Sequence, residues 1–205
     1  TLSRWIKVRD DPQAAEANVA VAIAQVDRLA DVSPQIRGRG FLRGVRSAVR
    51  GTPMTIVGRT SGQVAGTILR VGVREELAYP IHRVEGGLRS IGDGAGFVPI
   101  LFGGLIETTR LLESGDCGAI LVDGENYAVG LGFAGGDEVS LFFPMQKALD
   151  MLNVDLVTEE VWRRLTSPTP PVAAPQPTPA QPAPTAAQAT DTYDVFISYS
   201  HEDQQ

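Results

Sequence analysis

SGDCGAILVDGENYAVGLGF, residues 114–133, holds the pattern that decides the fold. A Gly-Asp-Cys-Gly turn leads into the apolar run AILVD (119–123), and Gly124, Glu125 and Asn126 then reverse the chain into YAVGLGF (127–133). Short apolar runs separated by Gly, Asp and Asn read as strands joined by tight turns. Cys117 is the only cysteine of the chain. It lies in the turn between Asp116 and Gly118, not inside an apolar run where a core-filling cysteine belongs. The same texture extends on both sides, in PMTIVG (53–58), VAGTILRV (64–71), VPILFGGLI (98–106) and EVSLFF (138–143). Short β runs at this density predict an antiparallel barrel or sandwich over 51–153.

The flanks read differently. PMQKALDML (144–152) opens with Pro144 at the first helical position and shows apolar residues at helical spacing. A second helix is expected at 158–165, with Thr158 as its cap and Val161, Trp162 and Leu165 on one face. Near the start, NVAVAIAQV (18–26) has β-branched residues at alternate positions and reads as a buried strand. A helix beginning near Pro12 and running through the alanines is the alternative. Residues 166–190 hold eight of the fourteen prolines, a composition that buries little apolar area and makes a semi-rigid linker. Beyond it, VFISY (195–199) turns abruptly back into strand.

Composition narrows the classes further. With 205 residues, 22 glycines, 43% apolar and 6% aromatic residues, the chain suits a turn-rich globular protein and no coiled coil. FVPILFGGLI (97–106) is too short and glycine-rich to span a bilayer, so no membrane partner is expected. The polar start TLSRWIKVRDDPQ has no signal-peptide character, and a single cysteine suits a reducing compartment, which points to the cytoplasm. Thr1 and the stop in mid-pattern at Gln205 suggest a fragment. Residues 1–60 carry ten Lys/Arg against five Asp/Glu. Their cluster Arg37, Arg39, Arg43, Arg46 and Arg50 carries no nucleic-acid motif, so it reads as a solvated connector and not a nucleic-acid surface. Gly92, Gly94 and Gly96 lack a strand–loop–helix context and read as a β-turn. Thr60 and Ser61 serve turn geometry, and His82 reads as a surface or loop residue. No metal site and no cofactor are expected.

Three stretches resemble the trypsin-like, chymotrypsin-fold peptidases, in a bacterial branch without disulfides. VGRTSGQVAGTI (57–68) is similar to the opening of that family's second barrel, SGDCGAILVD (114–123) to its nucleophile turn, and YAVGLGFAGGDEVSLFFPMQKALDML (127–152) to its substrate strand, hairpin partner and closing helix. The resemblance implies a mainly β double barrel, of which this chain holds the second barrel and the end of the first, with C-terminal helices. It implies Cys117 at the nucleophile position, an oxyanion hole from the backbone N–H groups of Gly115 and Cys117, and a loop braced by Asp116 and Gly118. Val129, Gly130, Leu131, Gly132, Phe133, Ala134 and Gly135 would form the substrate-binding strand for a peptide or protein substrate. Acyl transfer needs such a nucleophile, a base and donors aimed at the oxyanion.

The chain also departs from that pattern. Ala20 falls where the resemblance expects the catalytic aspartate; Asn18 and Asp27 are displaced candidates for the role. No histidine precedes this run, and the two present, His82 and His201, lie after it. Two readings follow: a cysteine endopeptidase whose histidine lies upstream in the full-length protein, or a decayed pseudo-protease that binds a peptide or protein. The 205 residues alone are expected to show no proteolysis. DTYDVFISYSHEDQQ (191–205) resembles the opening of a TIR domain, a flavodoxin-like α/β signalling module that self-associates. The resulting organisation is the end of the first barrel and a connector (1–50), the second barrel with helices (51–165), the linker (166–190) and the first TIR strand (191–205). A bacterial peptidase–TIR fusion in signalling or immunity is the role this implies.

Overall fold

The glycine-punctuated runs pair into a closed ring. The structure, a computed structural model, describes residues 2–84, 87–90, 97–167 and 193–196. Its strands are β1 (Leu2–Trp5), β2 (Ala22–Val26), β3 (Gln35–Ile36), β4 (Gly40–Phe41), β5 (Pro53–Gly58), β6 (Gly62–Val84), β7 (Gly87–Ser90), β8 (Phe97–Thr109), β9 (Ile120–Asp123), β10 (Ala128–Gly135), β11 (Val139–Pro144) and β12 (Tyr193–Phe196). The order β5-β9-β10-β11-β8-β6 is closed by pairing of β6 with β5. All these neighbours are antiparallel, so the six strands form a barrel with no free edge along the ring. The mainly β architecture expected from the sequence is the one observed. Met54, Ile56, Ile68, Ile106, Leu121, Val129 and Phe142 fill the barrel interior.

β6 runs well past the expected limits of 64–71, and β8 passes those of 98–106 by one residue at its start and three at its end. Three register shifts, between Ile68 and Arg70, Val71 and Val73, and Val73 and Glu75, bend the hairpin out of the ring. The emerging arm carries Arg74, Glu75 and Glu76 exposed, and these charges interrupt the apolar pattern that would have announced a strand. Its other face packs on the N-terminal segment: Val19, Val21, Ile23, Ile100, Phe102, Leu131, Phe143 and Leu149 belong to one apolar cluster.

Both readings of the first segment were partly right. Asp11 accepts the N–H of Gln13 at 2.9 Å and caps a 3-10 helix over Pro12–Ala17, and the strand occupies only Ala22–Val26. β2 lies between β1 and β12 in a separate three-stranded sheet. Helix α1 (Met145–Leu152) starts one residue later than expected, with Pro144 as the cap, and ends at Asn153 in the left-handed region. Helix α2 (Glu159–Thr166) has Thr158 at the cap position, but its side chain makes no capping bond.

The arginine cluster is largely solvated, with Arg37, Arg43, Arg46 and Arg50 exposed, and two of its members also fasten the connector. Arg39 donates to the Asp123 carbonyl at 2.9 Å and to Asn126 Oδ1 at 3.0 Å. Arg46 reaches Asp123 at 2.8 Å and Glu125 at 2.9 Å, with its guanidinium 3.9 Å from the Tyr127 ring centre. A planar cation suits two carboxylates and an aromatic face together. The connector is thereby tied to the β9–β10 turn. Gly92, Gly94 and Gly96, His201, and the 168–190 part of the linker lie outside the described residues.

Candidate functional site

The turn before β9 is built around a buried carboxylate. Asp116 is 2% exposed and accepts N–H groups from Thr60 at 2.7 Å, from Glu113 at 3.0 Å and from Ser61 at 3.2 Å. Burial pushes its carboxyl up; the Ser61 hydroxyl and the N–H groups of Glu113, Thr60 and Ser61 pull it down and prevail, leaving it below its ordinary value. Thr60 also donates its hydroxyl to the Ser114 carbonyl at 2.8 Å. The β5–β6 turn therefore holds the loop from below. Gly115 has φ +95° and Gly118 has φ +84°, in the left-handed region that favours glycine. A Cβ at Gly115 would lie 2.5 Å from Thr60 Oγ1, so this turn excludes a side chain on two grounds.

Cys117 is exposed at the crest of the turn. Its thiol donates to the carbonyl of Phe133 on β10 at 3.2 Å. Gly118 N–H donates to the Gly132 carbonyl at 2.7 Å, and Gly132 N–H donates to the Ala119 carbonyl at 2.8 Å. Pairing of β10 with β9 runs from Ala128↔Val122 to Leu131↔Ile120, while pairing with β11 continues to Gly135. Among the described residues, no strand therefore pairs with Phe133–Gly135 on the β9 side. The thiol stands where that strand edge opens.

The strand residues named from sequence divide by role. Val129, Gly130, Leu131 and Gly132 are buried in the ring, Phe133 and Ala134 are half-buried, and Gly135 is exposed. Gly130 allows close approach: a Cβ there would come within 3.0 Å of Phe142 Cβ and 3.2 Å of the Phe143 carbonyl.

The residues weighed from sequence for an aspartate's role behave structurally. Asn18 is fully buried; its amide donates to the carbonyls of Arg9 and Leu101, each at 2.9 Å, and its Oδ1 accepts the Arg9 N–H at 2.8 Å. Every polar atom of that side chain is thus committed to backbone. Ala20 packs against the apolar cluster below β10. Asp27 is exposed in the bend after β2. His82 belongs to β6, its side chain outside the described residues.

Tyr79 is the residue that sequence reading missed. It lies on the hairpin arm, half-buried, with its ring 5.7 Å from that of Phe102. Phe102 in turn meets Phe133 at 4.6 Å, and Phe133 meets Phe143 at 4.4 Å. Burial, with a smaller contribution from the charge of Cys117, holds the Tyr79 phenol above its ordinary value. An aromatic wall therefore runs from beside the Cys117 turn to the arm. Its only sequence signal was a tyrosine in AYPIHRVEG, 38 positions before the cysteine in the chain.

A cleft of about 310 Å³ lined by Phe41, Leu42, Arg43 and the start of α2 contains none of these residues. Among the described residues, no group of three or more His, Cys, Asp or Glu is placed to hold a metal ion. No described helix is long and apolar enough to cross a membrane.

No protein-family model and no curated protein matches the chain. Solved structures similar to it include protease A of Thermobifida fusca, at 23% identity and TM-score 0.46 over 62% of each chain. A chymotrypsin of Cellulomonas bogoriensis is similar at 24% identity and TM-score 0.43, over 67% of this chain and 63% of that one. A Nocardiopsis protease is similar at 19% identity and TM-score 0.45, over 65% and 60%. The chain thus spans less than two thirds of the length of each of these.

Proposed function

We propose that the chain carries the nucleophile half of a cysteine-type endopeptidase. One observation carries this reading: an exposed thiol, on a turn braced by a buried carboxylate, stands beside the open edge of β10. An extended peptide adds to Phe133–Gly135 by backbone hydrogen bonds, which brings its carbonyl carbon beside Cys117. The N–H groups of Gly115 and Cys117 receive the developing oxyanion. The thiolate forms the C–S bond, the C–N bond breaks as the amine takes a proton, and water then releases the acid from the thioester. The proton passes through a histidine supplied by the full-length protein. Thiol chemistry works with such a dyad because a thiol ionises far nearer neutrality than a hydroxyl.

A second reading, a peptide-binding pseudo-protease, is favoured by Asn18, whose side chain is spent on backbone, and by the resemblance, which puts Ala20 where an aspartate is expected. In either case residues 191–205 open a TIR domain, so that peptide engagement is coupled to TIR self-association in a cytoplasmic signalling or immunity protein.

A peptidyl acyloxymethyl ketone and its single-residue analogue separate these readings. The peptidase reading expects the peptidyl probe to label Cys117 of the full-length protein at least about tenfold faster, with no labelling of Cys117→Ala. Equal rates for the two probes, with saturable peptide binding unchanged in Cys117→Ala, establish the binding module instead.

A further inference from the structure

β12 pairs antiparallel with β2 along its whole length: Tyr193↔Val26, Asp194↔Gln25, Val195↔Ala24 and Phe196↔Ile23. Without it, β1 and β2 form a two-stranded ribbon with an irregular register between Leu2 and Arg4. A two-stranded ribbon is marginal in water, and a third strand makes such a sheet self-supporting. The run containing β12, TYDVFISYS (192–200), mixes β-branched and aromatic residues with Asp194 and Ser198, a composition that suits a strand. Tyr193–Phe196 takes an outer, antiparallel position in the three-stranded sheet.

We propose that the outer edge of β2 is a strand-docking site, and that Tyr193–Phe196 of the same chain is its occupant. A four-residue pairing is weak between separate molecules, but the tether makes it intramolecular. The 26 residues from 167 to 192 reach about 90 Å when extended, so the connection is sterically easy, and the effective concentration is on the order of millimolar. The docked strand cannot pair elsewhere at the same time. Undocking therefore frees the C-terminal run and leaves the β1–β2 ribbon without its third strand. β2 also reaches toward the site, because its Ile23 is 1% exposed in the cluster that underlies β10. None of this depends on the chemistry of Cys117.

The test uses the whole chain in a Cys117→Ala background, which removes the native thiol. Ala24→Cys with Val195→Cys is expected to give an intramolecular disulfide under mild oxidation, with a yield independent of protein dilution. Dimers that disappear on dilution, or no cross-link, overturn the proposal. In parallel, Val195→Pro removes a strand N–H and fixes φ. Hydrogen exchange over residues 22–26 is expected to quicken at least about tenfold, while 104–109 and 139–143 stay unchanged. Equal exchange over 22–26 in parent and variant also overturns it.

Discussion

At Asp116, burial and hydrogen bonding pull the carboxyl in opposite directions, and the hydrogen bonds prevail. Its folded value lies below the ordinary one, so the native state binds fewer protons than the unfolded chain in the acid range. The stability this contributes is complete above the ordinary aspartate value near 3.9 and is lost as pH falls through the lower folded value. Asp116→Asn places an amide NH₂ among donors and is expected to cost about 2–3 kcal/mol at pH 7. Urea midpoints at pH 7, 5 and 3 check this: the gap between parent and variant should be constant from 7 to 5 and narrow toward 3. A gap that widens in acid contradicts the assignment of Asp116 as the ionised brace. The turn itself was legible in the sequence, because Gly-Asp-Cys-Gly combines an acceptor with two residues free to take positive φ. Tyr79 was not, since proximity across the hairpin arm leaves no trace in local spacing.

At the scale of elements, strand existence was readable and strand length was not. PMTIVG matched β5 residue for residue. β6 was read as eight residues because Arg74, Glu75 and Glu76 face solvent on an arm covered on one side, which breaks a continuous apolar run. β1 and β3 to β4 escaped notice for a related reason: two to four residues are too few to show a period. Asn18, at the end of the 3-10 helix after Asp11, bonds the Leu101 carbonyl of β8. Asn18→Ala leaves the Leu101 carbonyl and the Arg9 peptide without these partners and is expected to cost about 2–4 kcal/mol. Asn18→Asp should cost at least as much, because a carboxylate replaces the amide that faces two carbonyl oxygens. Chemical denaturation of both variants decides the point. Were Asn18 a stand-in for a catalytic aspartate, Asn18→Asp would be tolerated and Asn18→Ala would not.

Across the whole molecule, two apolar clusters share β10, with Val129 facing the barrel interior and Leu131 facing the cluster beneath the hairpin arm. The second cluster joins the N-terminal segment, the arm and α1, so the first 30 residues fold onto the barrel and do not form a separate unit. Phe102 is the joint: fully buried, with rings of Tyr79 at 5.7 Å, Phe133 at 4.6 Å and Phe143 at 6.0 Å around it. Phe102→Ala is expected to cost about 3–5 kcal/mol, the range for a buried phenylalanine whose neighbours cannot collapse fully. The chain has two tryptophans, Trp5 on β1 and Trp162 on α2, which makes the coupling measurable. In a Trp162→Phe background, fluorescence reports the β1–β2 sheet and far-UV circular dichroism reports mainly the barrel. A shared core requires the two urea transitions to coincide in the parent and to move down together in Phe102→Ala. A Trp5 transition that shifts alone, with the circular-dichroism midpoint unmoved, would show that the N-terminal sheet unfolds independently and that Phe102 does not join it to the barrel.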